Sequence, residues 1–203
     1  MAETKSMHIS LTHYPVLALG PGKRAGLWTQ GCTIKCPGCM SHHTWKFTEE
    51  SKISFASIKK TLTIFQNSGA EGLTISGGEP FDQPAALHYL LKAARKIGYN
   101  DILIYSGYEY GSLKERHGEI LELADVLIDG PFILGEETRS VWKGSENQNM
   151  TILSGGADIR RKYGAYMRRR GKRNIQVAEK DGSIFIIGVT RQSDTEKIGS
   201  LFI

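Results

Sequence analysis

Short apolar runs alternate with amphipathic segments along most of this chain. The apolar runs predict strands at 24–30, 73–76, 101–105, 126–129 and 150–153. Between them, apolar residues recur at helical spacing over 55–66, 85–97 and 113–123. We expect Ser54 to cap the first of these helices, because a serine oxygen can accept a hydrogen bond from a free amide of the first turn. A further apolar run at 12–19 precedes a Gly-Pro-Gly turn and predicts an additional strand or arm.

The alternation of strands and helices predicts an α/β fold with a parallel sheet and right-handed crossovers. The chemically distinctive segments described below all follow predicted strands. Parallel α/β folds place their functional sites at those C-terminal strand ends. The pattern by itself is compatible with an open sheet or with a partial barrel that carries its helices outside.

The character of the chain changes after Gly155-Gly156. A basic helix is predicted at 157–169, followed by two β-rich runs at 175–178 and 183–187. The pair Asp181-Gly182 between these runs indicates a β-hairpin. We therefore divide the chain into a core, 1–154, and an extension of a helix and a β-hairpin, 155–203, that packs on the core.

Composition excludes few classes of protein here. A chain of 203 residues with 40% apolar and 23% charged residues is long enough to bury a proper core. No run approaches the ~18 apolar residues of a membrane span, and the N-terminal residues lack the apolar segment of a signal peptide. We therefore expect a cytoplasmic protein without a membrane partner.

The net charge of +5 is concentrated in part in the extension, at Arg160-Arg161-Lys162 and Arg168-Arg169-Arg170-Gly171-Lys172-Arg173. Such a stripe could bind an anion, a nucleic acid or an acidic patch of a partner protein. It could equally be the solvated face of a helix, and this interpretation is favoured because the stretch is short and acidic residues follow it. We do not expect nucleic acid as a partner.

The cysteines of the chain, Cys32, Cys36 and Cys39, share one short loop with Cys-x-x-x-Cys-x-x-Cys spacing. Three thiolates can hold three corners of a cubane iron–sulfur cluster, which usually has four cysteine ligands. The fourth iron would then be open to another group, which indicates a reactive site rather than a cluster that only transfers electrons. A zinc site remains an alternative, with His42 or His43 as the fourth ligand.

A second motif follows the predicted strand 73–76, in the order Ser76-Gly77-Gly78-Glu79-Pro80. The two glycines allow a ligand to approach the main chain closely. Glu79 adds a carboxylate at the strand end, and Pro80 stiffens the turn. A carboxylate beside free backbone groups suits a ligand that carries an ammonium group.

Together the two motifs resemble the radical S-adenosylmethionine superfamily. The resemblance implies that Cys32, Cys36 and Cys39 hold a [4Fe–4S] cluster whose open iron is chelated by the amino and carboxylate groups of S-adenosylmethionine. It implies that Gly77–Pro80, with Ser76 before them, contact the methionine end of that cofactor. An electron from the cluster would cleave the sulfonium, and the resulting 5′-deoxyadenosyl radical would abstract a hydrogen atom from the substrate.

Further segments resemble the activases of glycyl radical enzymes, and most closely the anaerobic ribonucleotide reductase activase group. These segments occur in family order between residues 20 and 148: Gly26–Cys32, Tyr105-Ser106-Gly107-Tyr108, Asp129-Gly130-Pro131-Phe132 and Gly144–Gln148. Met40 stands where those activases often have a tyrosine, and Gly38 matches them. The extension of about fifty residues is the larger departure.

The resemblance implies an incomplete TIM-like barrel whose open side admits a large substrate, and an enzyme that abstracts hydrogen from a glycine of a partner glycyl radical enzyme. It places Tyr105 and Ser106 beside the adenosine or ribose, and Asp129 near the cofactor, although each could instead be a structural strand end or turn cap. A flavodoxin- or ferredoxin-like protein would donate the electron. Two alternatives stay open: modification of a small molecule or ribosomal peptide, and a non-catalytic iron–sulfur binding or sensing module. We expect the extension to be a docking surface whose removal spares cofactor cleavage.

Overall fold

The computed structural model describes residues 6–153, 156–180 and 182–191. The predicted boundary between core and extension, at Ser154 and Gly155, lies outside the described residues, as does Asp181 of the predicted hairpin turn. Within the described chain the protein is a mixed α/β fold with a seven-stranded sheet and four α-helices.

The central sheet has the strand order β3-β1-β2-β4-β5-β6-β7. Its strands are β1 (Ser6–Val16), β2 (Arg24–Thr29), β3 (Lys52–Ser54), β4 (Gly72–Gly77), β5 (Ile102–Tyr105), β6 (Val126–Asp129) and β7 (Asn149–Ile152). The four strands β2, β4, β5 and β6 pair in parallel, whereas β1 runs antiparallel to both β2 and β3, and β7 runs antiparallel to β6.

Two expectations about the strands were wrong. The prediction of an all-parallel sheet fails at β7, because no helix separates β6 from β7 and the chain returns by a loop at 130–148. The first strand is Ser6–Val16 rather than 12–19. Buried Met7, Ile9 and Leu11 alternate with less buried residues. Met7 and Ile9 pack in the cluster under the helices, whereas Leu11, which follows a register shift, packs in the cluster that contains the hairpin residues Ala178 and Ile187.

Three helices cover one face of the sheet: α1 (Phe55–Asn67), α2 (Pro84–Ile97) and α3 (Tyr110–Leu121). Ser54 caps α1 as predicted, since its Oγ accepts a hydrogen bond from the Ser57 amide at 3.2 Å. In β5 the side chains alternate between the two faces: Ile102 and Ile104 pack under these helices, and Leu103 points to the opposite layer. Both faces of the sheet are therefore covered.

The opposite face is covered by α4 (Ala157–Met167), through the buried Tyr163 and Tyr166, and by a separate two-stranded sheet. That sheet is the hairpin of β8 (Gln176–Lys180) and β9 (Ser183–Ile187), which pair antiparallel. Ala178 and Ile187 of the hairpin pack against apolar side chains at and beyond the end of β1. Within the described residues, no helix has both the length and the apolar character needed to cross a membrane.

Candidate functional site

The cysteine loop follows β2 directly and is tied to the segment behind it. The amides of Gly31 and Cys32 donate to the carbonyls of Thr44 and Trp45, at 2.7 and 3.0 Å. Lys35, between the first two cysteines, has φ 52°, a left-handed conformation that non-glycine residues seldom adopt. The three cysteines are half-buried free thiols. The loop is thus a fixed turn that exposes three sulfur atoms near the C-terminal end of β2.

The loop after β4 lies in backbone contact with the cysteine loop. The amide of Gly78 donates to Thr29 O at 2.8 Å, and the amide of Glu79 donates to Gly31 O at 2.8 Å. A Cβ atom on Gly78 would lie 2.1 Å from the Gly31 carbonyl oxygen, closer than any real contact. Glycine at this position therefore allows the two chemically distinctive loops to approach each other.

Glu79 is almost completely buried, at 1% exposure. One carboxylate oxygen accepts hydrogen bonds from the Phe81 amide at 3.0 Å and from Ser106 Oγ at 2.9 Å, and the other accepts from the Gly107 amide at 2.7 Å. Burial raises the pKa of Glu79 to about 7, although these hydrogen bonds favour the charged form. The side chain joins the loop after β4 to the loop after β5.

These loops surround one cavity of about 240 Å³. Its lining contains Gly107 and all of the predicted site residues except two: Cys32, Cys36, Cys39, Ser76, Gly77, Gly78, Glu79, Tyr105 and Ser106. Pro80 and Asp129 do not line it. Pro80 is buried at the start of a short 3-10 turn. Asp129 Oδ2 accepts a hydrogen bond from the Tyr110 amide at 3.0 Å, which places this carboxylate at the beginning of α3.

Tyr105 and Ser106 line the cavity, but their hydroxyl groups already make hydrogen bonds within the protein. The Tyr105 hydroxyl donates to Trp142 O at 3.1 Å, and Ser106 Oγ donates to Glu79. Burial raises the pKa of the Tyr105 hydroxyl well above its ordinary value, so this group stays protonated. Both residues therefore shape the wall of the cavity and orient their neighbours rather than offering a free polar group.

The cavity also includes residues that were not predicted. Trp28, Phe132 and Gln148 line it, and all three lie in segments that the sequence analysis had noted, which was the signal that could have identified them. Unpredicted lining also comes from the extension, at Ile186, Gly188, Val189 and Thr190. The end of the hairpin and the residues after it therefore form one side of the cavity. The expectation that removal of the extension spares cofactor cleavage stays a prediction.

Arg173 holds this side in place. Its guanidinium donates to the carbonyls of Thr138, Ser140 and Lys143 and to that of Thr190. It therefore joins the end of the hairpin to the loop between β6 and β7. One arginine of the basic stretch thus serves a structural purpose that the charge pattern did not reveal.

The donor set fits an iron–sulfur cluster. Burial raises the pKa of the Cys32 and Cys36 thiols, and backbone amides, including that of Phe132 for Cys36, act in the opposite direction. Bound iron would itself favour the thiolates. Trp45 also lines this cavity, and its indole Nε1 is buried without a hydrogen-bond partner in the described chain.

A single-metal site is not preformed. In the part of the chain that the structure describes, no three His, Cys, Asp or Glu side chains are grouped as ligands of one ion. His42 and His43, the fourth ligands considered for zinc, do not line the cysteine cavity. In a cubane cluster each thiolate binds a different iron, so its ligands need not converge on one point.

Comparison with known proteins agrees with this site. The family model described as a 4Fe-4S single cluster domain matches residues 18–151. The anaerobic ribonucleoside-triphosphate reductase-activating protein of Enterobacteria phage T4 is 31% identical over 136 residues, which cover 64% of this chain and 85% of the relative. The protein of the same description from Escherichia coli K12 is 30% identical over 144 residues, 67% of this chain and 93% of the relative.

Among solved structures, the crystal structure of QueE from Escherichia coli is similar with a TM-score of 0.42 and 18% identity, over 51% of this chain and 52% of that one. The matched family region ends at 151, before α4 and the hairpin. The side of the cavity formed by 186–190 therefore lies outside the part that the family model describes.

Proposed function

This chain belongs to the family of 4Fe-4S single cluster domains and is related to the anaerobic ribonucleoside-triphosphate reductase-activating proteins, and we propose that it is a radical S-adenosylmethionine enzyme that activates a glycyl radical enzyme. The observation that carries the proposal is the meeting of the three thiols with the Gly77-Gly78-Glu79 loop in one cavity. When bound, the cluster and S-adenosylmethionine supply reductive cleavage of the sulfonium and abstraction of a hydrogen atom from the substrate.

The residues of the chain would bind and orient these groups. Cys32, Cys36 and Cys39 would hold the cluster, since they are the thiols of the cavity. The loop of Gly77 and Gly78 would present backbone groups to the methionine end of the cofactor. Glu79 would keep that loop in register with Ser106 and Gly107, as its three hydrogen bonds indicate.

Several side chains would keep water from the reacting atoms. Trp28, Trp45 and Phe132 give the cavity aromatic walls. The apolar residues at the end of the hairpin would close the remaining side. Exclusion of water protects a reactive intermediate from side reactions.

We further propose that the central sheet is a partial TIM-like barrel, with a core to residue 154 and an extension from 155 packed on it. The parallel order of β2, β4, β5 and β6 beneath α1–α3 supports this architecture. The electron would come from a flavodoxin- or ferredoxin-like donor in the reducing environment of the cytoplasm, where iron–sulfur thiolates stay intact.

The test is anaerobic reconstitution with iron and sulfide, followed by reduction with dithionite in the presence of S-adenosylmethionine. We expect four irons per chain and formation of 5′-deoxyadenosine, and loss of both after replacement of Cys32, Cys36 or Cys39 by serine. The matched control is Ser41→Ala, which changes a cavity residue of the same loop region but removes no thiol. A wild-type protein that binds zinc and forms no 5′-deoxyadenosine would contradict the proposal.

To identify the partner, the reduced, reconstituted protein is incubated with S-adenosylmethionine and a candidate glycyl radical enzyme, and the electron paramagnetic resonance spectrum is recorded. A glycyl doublet on the partner is the expected result. Formation of 5′-deoxyadenosine with a modified metabolite or peptide, and no partner radical, would assign the enzyme to the other class of substrate.

A further inference from the structure

A second cavity of about 300 Å³ lies beside the first, between the cysteine loop region and the hairpin. Its walls come from β1, β2, the residues that follow Cys39, and β9: Ser10, Leu11, Trp28, Met40, Ser41, His43, Thr44, Ile184, Phe185, Ile186, Ile187, Gly188 and Thr190. Trp28, Met40 and Ile186 line both cavities. The second cavity is therefore a cleft adjacent to the cysteine cavity, and the two share these walls.

The edge of β9 faces this cleft. Four consecutive residues, Ile184–Ile187, line it. A strand that presented one face would contribute only every second residue, because successive side chains point to opposite faces. In the described chain β9 pairs with β8 alone, so its second edge makes no strand pairing. That edge offers backbone amides and carbonyls to whatever occupies the cleft.

The cleft carries almost no charge. Among the described residues that line it, the only titratable side chain is that of His43, and the others are apolar or hydroxyl-bearing. A phosphorylated or carboxylated small molecule would find no paired countercharge there, which makes its desolvation unfavourable. A peptide backbone, by contrast, can pair with a strand edge without carrying charge.

We propose that this cleft admits the hydrogen-donating segment of the substrate, and that the segment is an uncharged extended peptide that binds by adding a strand to β9. The inference rests on the proposed function and deepens it by naming the surface that selects the target. The main chain of β9 would supply affinity, and the side chains of Ile184 and Ile186 would select small or apolar neighbours of the donor residue. Target choice would therefore reside outside the residues that the family model matches.

The probe is the capped hexapeptide acetyl-Thr-Val-Gly-Ala-Val-Thr-amide with α-dideuterated glycine. Its binding to the reconstituted protein without S-adenosylmethionine is followed by fluorescence anisotropy of a labelled copy. We expect at least a tenfold weaker binding when both valines are replaced by aspartate. Two further peptides carry an N-methyl group on the alanine or on the valine after it. Strand pairing uses every second residue, so one N-methyl peptide should lose binding and the other should keep it.

The variant Ile184→Glu places a charge at a residue that lines the cleft but not the cysteine cavity, and it should weaken binding at least tenfold. The matched control is Val177→Glu, which introduces the same charge on the neighbouring strand β8; Val177 is 67% exposed and lines neither cavity. With cofactor and dithionite, deuterium from the glycine Cα should appear in 5′-deoxyadenosine as the C–D bond breaks. The same variant should abolish this transfer while iron content stays at the wild-type value.

Formation of 5′-deoxyadenosine by the wild type tests the proposed function separately. If the wild type forms 5′-deoxyadenosine, three results would overturn the strand-addition proposal. They are the absence of peptide binding, equal affinity for the neutral and the acidic peptide, and an equal loss of peptide affinity in both glutamate variants. A dimer that Ile184→Glu dissociates in sedimentation would overturn it too, because a second copy would then occupy the strand edge. Competition by a nucleoside triphosphate at similar concentration would assign the cleft to a charged small molecule instead.

Discussion

Glu79 is a buried carboxyl group whose pKa is raised to about 7 by burial, against an ordinary value of 4.5. An acid with a raised folded pKa contributes stability that is fully present below its unfolded pKa. That contribution is lost as the pH rises through the folded pKa, because the charged form must then stay buried. The residue therefore makes the cluster-free protein less stable near neutral pH than in mild acid.

We predict that Glu79→Gln removes this pH dependence. Between pH 4.5 and 7 the free energy of unfolding of the cluster-free wild type should fall, relative to that of the variant, by an amount on the order of 2–3 kcal/mol. Urea denaturation at several pH values is the measurement. The control is Glu50→Gln, an exposed carboxylate that should retain the wild-type slope. Parallel curves for wild type and Glu79→Gln would show that Glu79 is not buried as described.

At the scale of the elements, the contact between the loops after β2 and β4 decides whether a site exists. Gly78 lies against the Gly31 carbonyl, and the two loops exchange backbone hydrogen bonds. A methyl group at Gly78 would meet backbone atoms, which cannot move aside as the end of a flexible side chain can. The loops must then separate.

We expect Gly78→Ala to cost about 1–3 kcal/mol of stability through overpacking and to lower the iron bound per chain well below that of the wild type. Iron analysis after anaerobic reconstitution and urea denaturation measure the two effects. Gly111→Ala is the matched control, because a Cβ atom there has nothing within 4 Å. Full iron content in Gly78→Ala would mean that the close approach is not needed for cluster binding.

Some secondary-structure elements could be predicted from the local sequence, and others could not. The Ser54 cap and the strands β2, β4, β5 and β6 were predictable, because each depends on neighbouring residues and on a run of buried apolar positions. The direction of β7 depends on the path of the loop at 130–148, which carries no helical pattern to indicate a crossover. The length of β1 was missed because its alternation includes polar residues such as His8 and Ser10.

At the scale of the whole molecule, Asp101 joins the extension to the core. Its carboxylate accepts hydrogen bonds from Arg24 at 3.0 Å in the core and from Lys162 and Tyr163 of α4, each at 2.6 Å. Arg24 itself is fully buried. Burial alone would raise the pKa of Asp101, but the charge of Arg24 and the hydrogen bonds from these three partners lower it below its ordinary value.

We predict that Asp101→Asn costs about 3–5 kcal/mol at neutral pH, because it leaves the Arg24 charge buried and uncompensated. A lowered folded pKa gives stability above the unfolded value near 3.8 that disappears as the pH falls through the folded pKa. The difference between wild type and variant in urea denaturation should therefore shrink below pH 3.8.

Asp158→Asn is the control for that measurement. Asp158 pairs with Arg161 on the same helix, but both side chains are largely exposed, at 91% and 83%. Its replacement should leave the denaturation midpoint unchanged, since exposed pairs are solvated and screened. An equal shift in both variants would show that α4 as a whole, rather than the buried network, responds to lost charge.

The chemically reactive residues of the site could be predicted from the sequence, but the side of the cavity formed by residues 186–190 could not. The positions of Cys32, Cys36, Cys39 and Glu79 follow from short motifs at strand ends, and the structure brings these residues to one cavity. The side formed by 186–190 depends on how a distant hairpin packs, through Ala178 and Ile187, and no local pattern encodes that contact. For the same reason Arg173 looked like part of a basic surface although it binds backbone carbonyls.

The late position of this hairpin in the chain has a consequence for assembly. Synthesis proceeds from the N-terminus, so the cysteine loop and the glycine loop leave the ribosome before β8 and β9 have been made. At that stage the cavity is open on the side that the hairpin will occupy. The three thiols are therefore more exposed in the nascent chain than in the finished protein, where residues 186–190 cover one side of the cavity.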